Sequence, residues 1–483
     1  MFLKKTLALL SRKPGLGSMA DVQQLATLRP LGKLEQVSAA CHHLEFFNNV
    51  GLTAHYKLSG SSSPGVDLRR VIFAAAGDVI RKHRILSAIP VNEDKPDSYF
   101  ASLPSVDLKR SISFVQRSQP VDEGEDKQLD AILEDQHNTN FKAEYGSLPF
   151  WRLVILQTPG ADNEFTASFI YHHAIGDGVS GLVFHNAFRS ALNAASSSLP
   201  GKNEESIVPD ENTSVLPPLE ELHPLPLNPT PPGPPATKLK EWTGNSIRTP
   251  CKSRWTSLCL SPRTAQAFFQ ECKENNLSVT SALSSIIATT LFIILPPTIE
   301  ALTCIIPVNL RPWLSLPREV ANGAIGTYFD ATRVQFTRRD QNSQGSTVWP
   351  GAQQVSKSMT DYLANVSPSG EPYTAIAVLK TLPDVSVIFS SAVGNPRDAA
   401  FEVTNIGLFS SSTPKTEDAP LWQVGKVLLS RSSVVSGAAV TVSVATGGDG
   451  SMAVGFSWQE GVLEDGVMEN VSEGVRNYFE KYQ

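Results

Sequence analysis

Apolar residues recur along the chain with two spacings, and each spacing predicts one kind of secondary structure. A return every three or four positions predicts helices over 66–81, 130–137, 264–275 and 279–295. Short apolar or alternating runs predict strands over 153–156, 165–171, 301–307, 375–378, 386–389, 424–429 and 438–444. Because helices and strands interleave in both halves of the chain, the pattern predicts an α/β (α+β layered) fold.

A proline-rich stretch divides the chain into two halves. Ten of the 34 prolines fall between Pro209 and Pro235. Proline interrupts helices and central strands, so this stretch predicts a semi-rigid extended connector. The sequence therefore predicts four parts, which are an N-terminal tail (1–20), an N-terminal domain (21–195), a crossover linker (196–245) and a C-terminal domain (246–483).

Charge and cysteine content narrow the function classes. The formal net charge is -6 and no long basic stripe occurs, so nucleic acid is not an expected partner. The five cysteines are scattered without a CxxC pair, which favours a reducing compartment over a disulfide scaffold or a zinc site. No run reaches the ~18 consecutive apolar residues that a membrane span requires.

Residues 1–19 differ from the rest of the chain. Leucines mix with four basic residues there, and the first acidic residue is Asp21. The apolar run is too short for a secretory signal. A disordered start, a transit peptide and a short interfacial helix all fit, and the last would place the protein peripherally at the endoplasmic reticulum or on lipid droplets. We otherwise expect a cytoplasmic monomer.

The candidate chemistry lies in the run HHAIGDG at 172–178. The alternating segment before it predicts a strand that ends at the two histidines, and the two glycines allow a tight loop into the next helix. Neighbouring strand residues face opposite sides, so His172 and His173 should not share a task. A neutral imidazole can take a proton from an alcohol near neutral pH. Asp177 can fold back beneath the loop.

Two other interpretations of this run remain open at this point. Both histidines could be core residues with satisfied hydrogen bonds. A metal site of His172, His173 and Asp177 is the other interpretation, and the opposed directions of the two histidines argue against it.

The run resembles the HHxxxDG signature of the superfamily that includes chloramphenicol acetyltransferase, the BAHD plant acyltransferases and the condensation domains of peptide synthetases. Six more runs are similar, in order, to segments of fungal-type alcohol acetyltransferases, and together they extend the resemblance over about residues 28–480. These runs are RPLGKLE (29–35), HHLEFFNN (42–49), PVNLRP (307–312), NGAIG (322–326), FEVTNIG (401–407) and FSWQEG (456–461).

This resemblance implies two chloramphenicol-acetyltransferase-like domains with a tunnel between them. It implies acetyl-CoA (acyl-CoA) as a co-substrate, with no permanently bound cofactor and no metal. The second motif histidine is the base in that superfamily, so the role falls on His173, while His172 and Gly178 are structural. The motif aspartate pairs with a distant arginine, for which Arg311 is the first candidate partner of Asp177 and Arg29 the alternative.

The residue pattern offers further site candidates. An oxyanion requires hydrogen-bond donors, which Asn405, Ser432 or Ser433 could supply, although packing and turn roles fit them as well. The predicted helix over 279–295 begins next to Ser278 and Thr280, so its N-terminus is a candidate for binding the phosphates of CoA. A plain core helix fits that segment equally well.

We therefore expect an O-acyltransferase of secondary metabolism that acts on a small, apolar alcohol. No GxSxG run occurs, which favours direct transfer without an acyl-enzyme. A condensation-like enzyme that forms amides or cyclises its substrate is the alternative, and a catalytically silent binding protein is the third hypothesis.

Overall fold

The computed structural model describes most of the chain. The described residues are 22–59, 67–119, 121, 124–161, 163–197, 204–229, 239–339, 347–410 and 421–482. The predicted N-terminal tail (1–20) lies outside them, as do the parts of the predicted linker over 198–203 and 230–238.

Strands and helices alternate throughout these ranges, which confirms the predicted mixed α/β class. Strands β1 to β16 are Ala26–Pro30, Val50–Leu58, Ala88–Val91, Tyr99–Ser102, Val106–Asp107, Ile112–Gln116, Trp151–Gln157, Glu164–Tyr171, Ser206–Ile207, Ser253–Leu260, Ala301–Asn309, Phe329–Thr337, Ala399–Leu408, Trp422–Arg431, Ala438–Thr446 and Met452–Gln459. Helices α1 to α12 are Lys33–His43, Leu68–Lys82, Leu108–Ser111, Lys127–His137, Gly178–Ser197, Leu219–Leu222, Pro262–Glu274, Val279–Ile294, Arg318–Asn322, Trp349–Ala364, Ser386–Ser390 and Val467–Glu480. Short 3₁₀ segments cover Val22–Gln24, Arg84–Ser87, Arg311–Trp313 and Ala375–Thr381.

Two predicted strands are wrong. The run over 375–378 lies in the 3₁₀ segment Ala375–Thr381, and the run over 386–389 lies in the helix Ser386–Ser390. A short apolar run has no period that distinguishes a strand from a helical turn, so the pattern alone could not decide these two segments.

In each segment a carboxylate binds the first backbone N–H groups and so favours the helical conformation. Asp330 accepts hydrogen bonds from the backbone N–H groups of Ala375 (2.9 Å) and Ile376 (3.1 Å). Asp384 accepts one from the N–H of Ser386 at 2.8 Å. Such bonds satisfy the N–H groups that the first turn of a helix leaves without partners.

The first large sheet includes one strand from the second half of the chain. Its strand order is β14-β2-β8-β7-β6, so β14 pairs with β2 although the predicted boundaries assign its residues to the C-terminal domain. Arg431 lies opposite Val50, and Val50 lies opposite Tyr171. Arg431 therefore sits beside the end of β8, where the histidine run begins. The domain boundaries themselves stay a prediction.

The second large sheet has the order β10-β16-β15-β13-β11-β12, and its β13 runs parallel to both neighbours. Glu402 on β13 pairs in register with Ile305 on β11. Helix α8 carries Leu283 and Ile286 into the core on this sheet. The first sheet has its own core, in which the ring of Phe184 stacks on Phe169 at 3.7 Å.

Among the described residues, no helix by itself combines the length and apolar character needed to cross a membrane. The adjoining helices α7 and α8, bent by 100°, meet that test by length and composition when they are taken as a pair.

Candidate active site

The histidine run forms the loop between β8 and helix α5. Strand β8 ends at Tyr171, whose hydroxyl donates a 2.6 Å hydrogen bond to the backbone carbonyl of Asp177. The side chain of Asp177 accepts a hydrogen bond from the N–H of Ser180 at 3.0 Å, so this aspartate caps the first turn of α5. The loop is thus fixed at both ends by its own residues.

Asp177 is also bound by the second half of the chain. Arg311 donates two hydrogen bonds to its carboxylate, at 2.7 and 3.0 Å, and Tyr328 donates a third from its backbone N–H at 3.0 Å. Burial raises the pKa of Asp177, but the guanidinium charge of Arg311 and the hydrogen bonds together lower it by more. The pKa therefore lies below its ordinary value. Arg29, the alternative candidate, pairs with Glu35 at 2.7 Å instead.

Two residues that the sequence analysis did not name complete this junction. Ser180 Oγ lies 2.9 Å from both Asp177 Oδ1 and the carbonyl of Gly326, and it accepts a hydrogen bond from the N–H of Gly326. Thr327 donates a 2.9 Å hydrogen bond to the backbone carbonyl of His173. The aspartate followed three residues later by a serine is a helix-start pattern that could have identified Ser180, but no local pattern indicates Thr327.

His172 faces away from the cavity that His173 lines. Its Nε2 lies 3.3 Å from Glu93, and His42 Nδ1 lies 2.9 Å from the same carboxylate. Burial raises the pKa of Glu93, but the two imidazoles lower it to about 2. Burial lowers the pKa of His172 to about 4, although its contact with Glu93 opposes the shift. The cluster is a buried polar network next to the histidine loop.

The same three side chains have the ligand types of a metal site, with ligand atoms within 4.8 Å of one another. The hydrogen bonds of the two rings argue against that use. His172 Nδ1 accepts from the N–H of Ala174 and His42 Nε2 from the N–H of Phe141, both at 3.0 Å. In a neutral imidazole the other nitrogen then carries the proton, so His42 Nδ1 donates to Glu93, and His172 Nε2 holds its proton 3.3 Å from the same carboxylate, outside hydrogen-bond geometry.

His173 lines a cavity of about 270 Å³ between the two large sheets. Its ring lies 5.5 Å from that of Phe47 and 5.4 Å from that of Phe329. The pKa of His173 lies below its ordinary value of 6.5, mainly because the ring is buried. A contact with its own backbone raises the pKa, and the charge of Arg431 lowers it. The ring is therefore neutral near pH 7. Most of the lining is apolar and includes Leu34, Val37, Cys41, Phe47, Val50, Ile305, Val308, Phe329, Phe389 and Leu429.

Asn405 and Gly178 line the same cavity. Asn405 donates a hydrogen bond from Nδ2 to Thr280 at 3.2 Å and accepts one from the N–H of Gly407 at 2.9 Å. Gly178 is in close contact with β13, since a Cβ atom in its place would lie 2.9 Å from the side chain of Ile406. A larger residue at position 178 would require either the Ile406 side chain or the loop to move.

The other candidates have different surroundings. Ser432 accepts hydrogen bonds from the N–H groups of Asn48 (3.0 Å) and Asn49 (3.1 Å). Ser433 lies 3.1 Å from Ser253 Oγ, and neither serine lines the cavity that contains His173. Ser278 caps helix α8 through the N–H of Ser281 (3.0 Å).

A second, larger cavity adjoins the first one near the start of helix α5. Its volume is about 810 Å³, and it shares Val179 and Asn309 with the first cavity. Its lining includes the basic residues Lys82 and Arg84 at the end of helix α2. Neither Ser278 nor Thr280 lines either cavity.

Two large sheets with a histidine loop and a cavity between them fit the architecture that the sequence analysis expects of an acyltransferase. The sequence profile described as alcohol acetyltransferase matches residues 122–228, which include the loop. The solved structure of the TRI3 trichothecene 15-O-acetyltransferase from Fusarium sporotrichioides superposes with a TM-score of 0.69 at 11% identity, over 94% of this chain and 95% of that one.

The family follows from relatives that match this chain over nearly its whole length. The chain is 64% identical over 461 residues to the probable alcohol acetyltransferase crmB of Aspergillus fumigatus, a match that covers 94% of this chain and 99% of the relative. It is 22% identical over 494 residues to the probable alcohol acetyltransferase FCK4 of Fusarium pseudograminearum, covering 93% and 94%. The chain therefore belongs to the alcohol acetyltransferase family, and it is an acyltransferase enzyme.

Proposed function

We propose that this enzyme transfers an acetyl group from acetyl-CoA to the hydroxyl of a small alcohol, with His173 as the general base. The observation that carries the proposal is the position of a neutral imidazole on a largely apolar cavity that adjoins a second cavity. A base with a lowered pKa is unprotonated at neutral pH and can accept the proton of an alcohol.

In this reaction, His173 takes the hydroxyl proton while the alcohol oxygen attacks the thioester carbonyl carbon. The new C–O bond forms, and the carbonyl electron pair moves onto oxygen. When this tetrahedral intermediate collapses, the C–S bond breaks and the departing sulfur receives the proton from the imidazolium. The products are an ester and the free thiol of CoA.

Direct transfer fits the cavity better than an acyl-enzyme does. Cys41 also lines the cavity, but burial raises its pKa far above the ordinary value, so its sulfur stays protonated. A protonated thiol is a poor nucleophile.

Asn405 is the residue we assign to the oxyanion. One of its two amide N–H groups binds Thr280, and the other remains available on the side chain that lines the cavity. An amide donor at the developing oxyanion typically contributes about 10²–10³ in kcat, so Asn405→Ala should lower kcat by a similar factor.

We assign the larger cavity to CoA because of its size and its basic residues. Lys82 is exposed at its edge, while Arg84 donates to the hydroxyl of Ser102 at 3.1 Å and is less free to move. A phosphate-bearing ligand would gain from the charge of Lys82. Lys82→Ala should raise the KM for acetyl-CoA severalfold and leave the KM for the alcohol unchanged. Lys127→Ala, at another exposed lysine, is the control.

The proposal is tested by the release of thiol from acetyl-CoA in the presence of alcohols or matched amines. We expect turnover with alcohols and a loss of about 10²–10⁴ in His173→Ala, the usual contribution of a general base. His43→Ala serves as the control because this histidine is exposed and does not line the cavity. Turnover with amines alone would favour the amide-forming alternative, and near-normal activity of folded His173→Ala protein would disprove the role of the base.

A further inference from the structure

A second ion pair joins the two large sheets, and the mechanism above assigns it no contact with a substrate. Arg431 at the end of β14 donates hydrogen bonds of 2.6 and 3.1 Å to the carboxylate of Glu402 on β13. Both residues line the cavity that contains His173. A charged pair thus interrupts a cavity wall that is otherwise mainly apolar.

This pair is costly as a purely structural element. Each side chain is only 11% exposed, and Arg431 Nε is buried and has no partner among the described residues. Desolvation of two charges offsets much of their attraction, and apolar residues of similar size are often as stable in such a place. Stability alone therefore gives no reason for a charged pair here, and its place on the cavity wall makes it a candidate for binding.

The pair still offers hydrogen bonds to a ligand. Its two bonds to Glu402 use two of the five guanidinium N–H groups, so further Nη hydrogens remain. Thr404 donates a 2.7 Å hydrogen bond to Glu402 and holds the carboxylate in place, while lone pairs of that carboxylate remain open. The site can therefore both donate to and accept from one ligand group.

One aromatic ring connects this pair with the catalytic histidine. The guanidinium of Arg431 lies 5.7 Å from the ring centre of Phe47, and the ring of His173 lies 5.5 Å from the same centre. An alcohol whose apolar part lies on Phe47 would have its reacting hydroxyl at His173 and its other end near the ion pair.

We propose that Arg431 and Glu402 bind a second, uncharged hydrogen-bonding group of the acceptor, such as a hydroxyl or a carbonyl oxygen. The acceptor is then a bifunctional alcohol rather than a purely apolar one, an inference that rests on the proposed function. The group must be uncharged because the pair is neutral as a whole, and a charged ligand group would leave a net charge in a buried site.

The test compares 1-alkanols from 1-butanol to 1-decanol with the α,ω-diols of the same lengths, using acetyl-CoA as the donor. The quantity measured is the ratio of kcat/KM for the diol to kcat/KM for the alkanol. The comparison is between wild type and the double variant Arg431→Met/Glu402→Leu, which replaces the pair by apolar residues. For at least one length, we expect this ratio to be about tenfold higher in wild type, as for a hydrogen bond to a charged group.

The control is an ion pair of similar burial that lines neither cavity, Arg117 with Asp126 at 2.8 Å. The variant Arg117→Met/Asp126→Asn should keep the wild-type ratios. Ratios that agree within about twofold between wild type and the Arg431/Glu402 double variant at every length would overturn the inference, and a lower melting temperature alone would then mark the pair as structural.

Calorimetric titration of His173→Ala protein with the same alcohols separates this inference from the proposed function. Stronger binding of one diol than of its alkanol, lost when the ion pair is also replaced, supports the inference even if no alcohol is acetylated. Equal binding at all lengths overturns it. An absence of thiol release from wild type with every alcohol would count against the proposed function alone.

Discussion

Asp177 and Arg311 form a bidentate ion pair between residues 134 positions apart in the chain. Their side chains are 6% and 1% exposed, so the pair lies in the protein interior. Since Asp177 belongs to the histidine loop and Arg311 follows strand β11 of the second sheet, the position of His173 depends on both sheets.

Breaking this pair should lower both stability and turnover. Asp177→Asn leaves the guanidinium of Arg311 buried without a counter-charge, which typically costs about 3–5 kcal/mol. Arg311→Ala should cost a similar amount, and the double variant should cost less than the sum of the two. The free energy of unfolding from urea titration and kcat with acetyl-CoA measure the two effects.

The exposed pair of Lys357 and Asp361 provides the control for this cycle, because its side chains are 76% and 62% exposed. Asp361→Asn should change the free energy of unfolding by less than about 1 kcal/mol. Strictly additive losses in the Asp177/Arg311 cycle would show that the two residues do not act as a unit.

Removing the hydroxyl of Ser180 should displace the loop without removing any charge. Ser180→Ala leaves the N–H of Gly326 without its 3.1 Å acceptor in a buried place, at a cost of about 1–3 kcal/mol. We expect a lower kcat with little change in KM, because this serine lines neither cavity. Ser197→Ala, at an exposed serine of the same helix, should leave both the melting temperature and kcat unchanged. Unaltered kcat in a destabilised Ser180→Ala enzyme would contradict the link to catalysis.

The pH profile of kcat/KM should report the lowered pKa of His173. The neutral ring is the active form, so activity is complete above the pKa and is lost as the pH falls through it. The midpoint of this acid limb should lie below 6.5. Arg431→Gln removes a positive charge that lowers the pKa, and the limb should move to higher pH. A midpoint above 6.5 that is insensitive to Arg431→Gln would argue against His173 as the titrating base.

His172→Ala should affect stability more than chemistry. The substitution removes a buried ring that lies 3.3 Å from Glu93. That carboxylate keeps its 2.9 Å contact with His42. We expect a lower melting temperature and a loss of kcat of less than about tenfold, well below the effect of His173→Ala. His55→Ala, at a less buried histidine, controls for the loss of a ring. A fully stable His172→Ala enzyme with the activity of His173→Ala would reverse the two roles.

Local patterns predicted a large part of the fold. The alternation over 165–171 and the helical period over 279–295 correspond to Glu164–Tyr171 and Val279–Ile294. These segments are long enough for the spacing of their apolar residues to distinguish a strand from a helix. The runs over 375–378 and 386–389 are too short for that, and carboxylates that bind their first N–H groups favour a helical turn in each.

The sequence by itself determined the histidine loop, because its strand, glycines and helix are consecutive and their signals are local. Only the tertiary structure decided what surrounds the loop. The register of β14 on β2 brings Arg431 next to it, and β13 supplies Glu402 from the opposite sheet. Ser432 looks available in the sequence, yet the N–H groups of Asn48 and Asn49 engage its hydroxyl. Contacts across hundreds of residues depend on how sheets pair and pack, which no local spacing encodes.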